Sequence, residues 1–378
     1  MNHHTISGRI LTPQGWVQGR LHHNDRISHI EADPTAAGDQ LILPGFIDLH
    51  VHGAGGTDIM EGGDAASRVA RLHARHGTTT LLGTTMTAPP ADIEHALRGL
   101  GAVIANQAPD SAQILGVHLE GPFLNCQRLG AQPPPVSTGT LEQVQRWNAI
   151  APIKVLTLAP EIPGHLTLIA QLSAMGIRVQ AGHSAGSYED GVAAIEAGLA
   201  GFTHLFNGMS GFSHRSPGMV GAALAHGEFA EIIPDLQHVK PGALRAAMRA
   251  IPRLYAVTDA TAATSMPDGE YMLGSQRVMK CMGCVRLVLG DSLAGSALTM
   301  DQALRNLVDL GLSLEDASAR VSRYPAEYLG LQDRGQLAAG LRTDLVVLDT
   351  QLQVRRVVIG GHAINLAQGA TQDAPVYA

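Results

Sequence analysis

From about residue 44 the chain repeats one rhythm: a short apolar run, a polar residue of functional type where the run ends, then an Ala-rich stretch whose small and apolar residues recur at three and four. Short apolar runs read as buried strands and the three-four recurrence as amphipathic helices, so the rhythm predicts parallel βα units. Strands are expected over 46–51, 79–83, 114–119, 153–158, 178–180, 201–204, 230–233 and 254–257. The clearest helices are expected over 65–76, 91–104, 140–149, 166–175, 188–197 and 241–249. Eight such units make an α/β fold that closes into a (β/α)8, TIM-like barrel. Outside them the pattern is different. Residues 5–11, 15–21 and 26–31 are β-prone runs separated by turns, and 335–337, 345–349 and 354–359 return to the same habit. The expected division is therefore a barrel over 44–334 and a small discontinuous β-sandwich domain built from both chain ends, 1–43 and 335–378. Between the eighth strand and the closing segment, the Gly- and Met-rich stretch 267–290 alternates like a hairpin, and 293–300 is expected to open a helix running toward Gly311.

Length agrees with this division, since 378 residues hold one barrel of about 250 residues and a smaller module. With 45% hydrophobic and 16% charged residues, no apolar run near the ~18 of a membrane span and no basic-then-apolar leader, the expectation is a soluble cytoplasmic protein with no membrane partner. The formal charge of -7 argues against nucleic acid as a partner, while leaving room for a few basic residues around one phosphate. Cys126, Cys281 and Cys284 cannot all pair, and a single C-x-x-C lacks the second pair of a closed zinc site, so they read as reduced thiols. His3, His4, His22, His23 and His29 have no carboxylate at ligand spacing in the sequence and read as surface residues.

The candidate chemistry sits at the strand ends. His50 and His52 alternate onto one face of the first strand, where buried imidazoles serve either as metal ligands or as rings satisfied by backbone and water. More ligand-type residues arrive at the same end of other strands: Glu120 after the third, His183 after the fifth, His204 after the sixth, Asp259 after the eighth. Barrel enzymes draw catalytic groups from this end, so the set predicts a metal-dependent hydrolase. Glu120, His183 and His204 are a one-carboxylate, two-imidazole set that leaves a position open for water, and His50 with His52 could hold a second metal bridged by Glu120. Asp259 suits a general base and acid. His118 shares the face of Glu120 and either orients a ligand or is a satisfied core histidine. One or two divalent ions are expected; zinc, iron and manganese all suit these donors.

Six segments carry a resemblance: Pro44–Gly53, His118–Leu124, Ala181–Ser184, Thr203–Met209, Val257–Ala260 and Leu293–Met300. Together they resemble the N-acetylglucosamine-6-phosphate deacetylase family of the amidohydrolase superfamily, in order and over nearly the whole chain. The resemblance implies that Glu120, His183 and His204 are the main metal ligands, that Asp259 is the acid/base, and that the His50-x-His52 form belongs with two-metal members. It implies phosphate contacts from Asn207, Gly208 and Arg215, with His238 reaching in from the neighbouring subunit of a homodimer. An ordinary solvated arginine is the alternative for Arg215. The sequence departs from the family where Gly130-Ala131-Gln132 replaces a Gly-x-His; Gln132 can still donate to a substrate carbonyl but carries no charge. The expected reaction is deacetylation of N-acetylglucosamine 6-phosphate to glucosamine 6-phosphate and acetate. The alternatives are the N-acetylgalactosamine 6-phosphate series or another N-acyl substrate, and a catalytically silent scaffold that binds or assembles.

Overall fold

The computed structural model describes residues 4–366 apart from 135 and 291; the ends of the two predicted chain-end segments, 1–3 and 367–378, lie outside the described residues. The chain opens with β1 (His4–Thr12), β2 (Gly15–His23), β3 (Ile27–Ala32) and β4 (Leu41–Pro44). The barrel strands follow: β5 (Phe46–Val51), β6 (Thr78–Thr85), β7 (Gln113–Glu120), β8 (Ile153–Leu158), β9 (Arg178–Ala181), β10 (Gly201–Phe202), β11 (Phe229–Ile232) and β12 (Arg253–Ala256). After them come β13 (Gly269–Leu273), β14 (Gln276–Cys281), β15 (Cys284–Leu287), and at the end β16 (Leu345–Leu348), β17 (Val354–Ile359) and β18 (His362–Ala363).

Strands β5 to β10 form a six-stranded parallel sheet in sequence order, and β11 pairs with β12. Two seams join these pieces into a ring. Leu205 N–H donates to Glu231 O at 2.8 Å, and Asp259 N–H to His50 O at 2.9 Å, beside a parallel bridge between Val51 and Ala260. The predicted barrel is therefore present. Its strands are apolar because both faces are covered, by the helices outside and by packed side chains within. All six expected helices are found, the first as α1 (Ala65–Arg75). Among the helices not expected, Gly218–His226 escaped the pattern because Gly-Met-Val-Gly-Ala-Ala-Leu-Ala has no polar side to set a period.

The chain ends form one mixed sheet of seven strands, ordered β18-β17-β16-β4-β1-β2-β3. Ile6, Ile10, Leu21, Ile42, Leu345 and Val347 make its own small core, while the alternate residues Leu43, Val346 and Leu348 join the barrel core. It is a single continuous sheet of the strands from which a sandwich was expected. Residues 335–337 are not a strand; Gly335 turns there at φ 85°. The 267–290 excursion is the three-stranded antiparallel sheet β13–β15, anchored by Leu273, Val278 and Val285. The helix expected to open at 293–300 begins only at Met300 (α2, Met300–Asp309). Before it, Gly295 adopts φ 55° and Ser296 bridges to Ala260, which holds the segment against the barrel mouth.

Helix α1 also buries His73 completely, with Nε2 on Gly53 O at 3.3 Å. Burial, helped by the like charge of His76, holds its pKa at about 4, below the ordinary 6.5. The depressed value means that the stabilising neutral form is fully present above pH 6.5 and lost as pH falls toward 4. We expect the unfolding free energy of wild type, read from urea titrations, to fall over that window with a component of about 1.4 kcal/mol per pH unit that the His73→Gln variant lacks. Parallel pH curves for the two proteins would remove His73 as its source.

Candidate metal centre and active site

Three proposed site residues lie just past strand ends in backbone that side-chain-bearing residues rarely adopt: His183 at φ 48°, His204 at φ 29° and Asp259 at φ 52°. Such strain costs of order 1–3 kcal/mol per residue and persists where the surroundings impose it, typically at functional sites. Here it explains why β10 stops at Phe202, short of the predicted 204: the turn at His204 swings its ring over the barrel axis. The result is a cavity of about 280 Å³ at the C-terminal mouth, lined by His52, Glu120, His183, His204 and Asp259 together with Gln132, Asn207, Gly208 and His238.

The donor atoms fall into two sets that share one carboxylate. Glu120 Oε1 stands 3.1 Å from His183 Nε2 and 3.0 Å from His204 Nε2, and the two nitrogens are 3.2 Å apart. Glu120 Oε2 stands 3.5 Å from His50 Nε2 and 3.2 Å from His52 Nε2, themselves 3.1 Å apart. Asp259 Oδ1 completes the second set at 3.4 and 3.3 Å from those nitrogens. Ligands about 2.0–2.1 Å from a tetrahedral cation lie about 3.3–3.4 Å from one another, so both sets fit a divalent ion with little adjustment. All five donor residues of the proposed metal sets are buried. Charge agrees with the geometry. Burial opposes a proton on His50 and His52, yet Glu120 and Asp259 overcome it, raising His50 well above its usual value and His52 to about 9. The same attraction outweighs burial at Glu120 and Asp259 and holds both carboxyls low. A cluster that draws protons onto its imidazoles in this way is one whose negative charge a metal cation would balance.

Beneath these donor groups lies a polar layer. Glu231, fully buried on β11, accepts from His50 Nδ1 at 2.9 Å, which leaves Nε2 turned toward His52, Glu120 and Asp259. His118 Nδ1–H donates to Leu49 O at 3.0 Å, and in the neutral ring Nε2 accepts from Thr157 Oγ1 at 2.7 Å. Thr157, Thr203, Gln180 and Tyr255 continue the chain of hydrogen bonds back to Glu231. Burial, reinforced by His50, brings His118 to about 4, so it is a neutral supporting ring. Glu231 is the residue that sequence reasoning missed. The signal was present: one carboxylate inside the apolar run 229–233 needs a partner.

The amidohydrolase family model matches residues 41–366. The chain belongs to the amidohydrolase family. It is a hydrolytic enzyme, of a family whose metal dependence its donor sets suit. Among this amidohydrolase's relatives, an Escherichia coli O157:H7 protein named N-acetylgalactosamine-6-phosphate deacetylase is 38% identical, over 96% of this chain and 99% of its own. A Vibrio furnissii N-acetylglucosamine-6-phosphate deacetylase is 37% identical, over 94% and 93% respectively. Among solved structures, a Mycobacterium smegmatis N-acetyl-D-glucosamine-6-phosphate deacetylase in complex with N-acetyl-D-glucosamine-6-phosphate superposes with a TM-score of 0.89 at 34% identity, covering 97% of this chain and 100% of that one.

On the cavity wall of this amidohydrolase, Asn207 is braced by donating to His204 O and Leu205 O. Gly208 sits at φ 60°, and a Cβ there would come within 2.9 Å of the His183 ring, so no other residue fits without moving a proposed ligand. Gln132 lines the cavity but is already engaged: Nε2 donates to Glu120 Oε2 at 2.6 Å and to Met86 Sδ at 3.6 Å, while Oε1 accepts from Thr87 N–H. His238 departs from expectation. It lines the cavity of its own chain, its ring pinned by Asp235 at 2.7 Å, so no second subunit is needed to bring it there. Arg215 is exposed on the 213–216 turn and does not line the cavity.

Proposed function

We propose that this amidohydrolase removes the acetyl group of N-acetylglucosamine 6-phosphate, giving glucosamine 6-phosphate and acetate. The observation that carries the reading is the pair of donor sets meeting on Glu120 with Asp259 beside them. The likeness to deacetylases over nearly the whole chain supports the substrate class. Glu120, His183 and His204 are the proposed main ligands, and His50 and His52 hold a second ion. A divalent metal, with zinc the proposed native ion, supplies Lewis acidity that activates water and polarises an amide carbonyl. Asp259, facing the cavity, takes the proton released by the attacking water and passes it to the departing nitrogen. Gln132 steadies Glu120, and the hydrogen it now aims at the weakly accepting Met86 sulfur is the one a substrate carbonyl can capture. A silent scaffold has no use for this complete set. The galactosamine series is a second reading, favoured by the name of the Escherichia coli relative; acetate release from the two N-acetylhexosamine 6-phosphates under equal conditions decides between them.

For the phosphate we propose Asn207, Gly208 and His238 on the wall, with Arg215 arriving from the rim. We further propose a cytoplasmic homodimer with the domain division read from the sequence; among the described residues no helix is long and apolar enough to cross a membrane. A phosphate grip is nearly the same in ground and transition state, so His238→Ala and Arg215→Ala should act mainly through KM. A charge-assisted hydrogen bond is worth about 1.5–3 kcal/mol, or roughly ten- to a hundred-fold. Steady-state kinetics should show that loss for the phosphorylated sugar and none for N-acetylglucosamine. An equal loss on both sugars would remove these residues from phosphate binding.

A further inference from the structure

The C-x-x-C left unexplained by the hydrolytic site stands at the tip of the β14–β15 hairpin. Cys281 and Cys284 are register partners there, separated only by Met282 and Gly283 at φ 48° and 77°, a two-residue turn with both central residues left-handed. Directly opposed residues of such a ladder have Cα atoms about 4.5–5.5 Å apart with side chains on the same face. The hairpin has two distinct faces. Val278 and Val285 point into the small core that anchors it, whereas Met279, Cys281 and Arg286 are exposed on the other side and Cys284 is half-buried. Met282 is 88% exposed at the turn, so a shallow pocket beside the hairpin is lined by four sulfur-bearing side chains, Met279, Cys281, Met282 and Cys284. None of the three cysteines is in a disulfide.

Sulfur donors select soft metals, and thiolates with thioethers favour Cu(I). Zinc in a structural site asks for four ligands, usually Cys and His. Among the described residues, no group of three or more His, Cys, Asp or Glu gathers at this tip, so they offer no four-ligand zinc set. Cu(I) needs only the two thiolates and a third soft donor. We propose that Cys281 and Cys284, with the Met279 thioether, form a surface Cu(I) site independent of the hydrolytic centre. Binding releases the two thiol protons to solvent and leaves the copper oxidation state unchanged. The bis-thiolate complex carries one net negative charge, and Arg286, paired opposite Met279 on the same face, lies beside it. The barrel mouth offers imidazole and carboxylate, the hairpin offers sulfur, and the two sites sort metals by softness.

The test uses the full-length enzyme with its hydrolytic metal in place, titrated with Cu(I) under nitrogen and a reductant against a chromogenic Cu(I) chelator. Wild type should withdraw one equivalent from the chelator and develop a near-ultraviolet thiolate-to-copper band. The Cys281→Ser/Cys284→Ser double variant should withdraw none, Met279→Leu should keep the band but release copper at lower chelator concentration, and Cys126→Ser should match wild type. Circular dichroism of the variants checks that the exposed substitutions leave the fold intact. The proposal is overturned if the double variant withdraws as much copper as wild type, if wild type withdraws none, or if Cys126→Ser abolishes binding.

Discussion

His183→Ala and His204→Ala are each expected to abolish binding of the proposed ion at the Glu120, His183 and His204 set, and turnover with it, while the barrel stays folded. Each imidazole is one of only three donors in its set, at 3.0–3.1 Å from the shared oxygen, so its removal leaves two ligands where an open catalytic site uses three. Both rings border the cavity, and their loss enlarges a space that already exists instead of opening a void in the core. Metal content after dialysis, beside circular dichroism, reads the two effects separately. Full metal and a near-normal rate in either variant would show that the residue is not a ligand.

Asp259→Asn is expected to keep metal and KM but to lose about 10²–10⁴ in kcat, the usual worth of a positioned acid/base. Asparagine has the same shape, and its oxygen can still stand near His50 and His52 where Oδ1 now lies at 3.4 and 3.3 Å. What it cannot do is accept the proton of water and return it to the leaving nitrogen. The φ of 52° is tolerated by Asn as well as by Asp, so the backbone gives no competing cause. Turnover within a few-fold of wild type would take Asp259 out of the proton path.

How much of this was written in the sequence differs from part to part. The barrel was legible because short apolar runs alternate with helical stretches eight times, and the proposed metal ligands were legible because five of those runs end in residues that make no sense in a core unless they bind something. Glu231 was not singled out, since it sits in mid-strand and its task, turning His50 so that Nε2 faces His52, Glu120 and Asp259, becomes visible only when β5 and β11 close around the same interior. Gln132 could be placed in the site but not oriented; the structure commits its amide to Glu120. His238 was assigned by resemblance to a partner subunit, whereas in this chain it lines its own cavity with its ring held by Asp235, a placement that shows only once the strand-end loops are folded around the mouth. The late start of α2 has a similar origin. The run 293–300 is helical in composition, but the pairing of Ser296 with Ala260 outweighs local propensity.

The most direct test of the central claim is acetate release by the metal-loaded enzyme from N-acetylglucosamine 6-phosphate, with the chelated enzyme and unphosphorylated N-acetylglucosamine as the two comparisons. Metal-dependent production of acetate and free amine in equal amounts, with a KM far lower for the phosphorylated sugar, is the predicted result. Equal rates on both sugars, or a rate untouched by complete metal removal, would contradict the account.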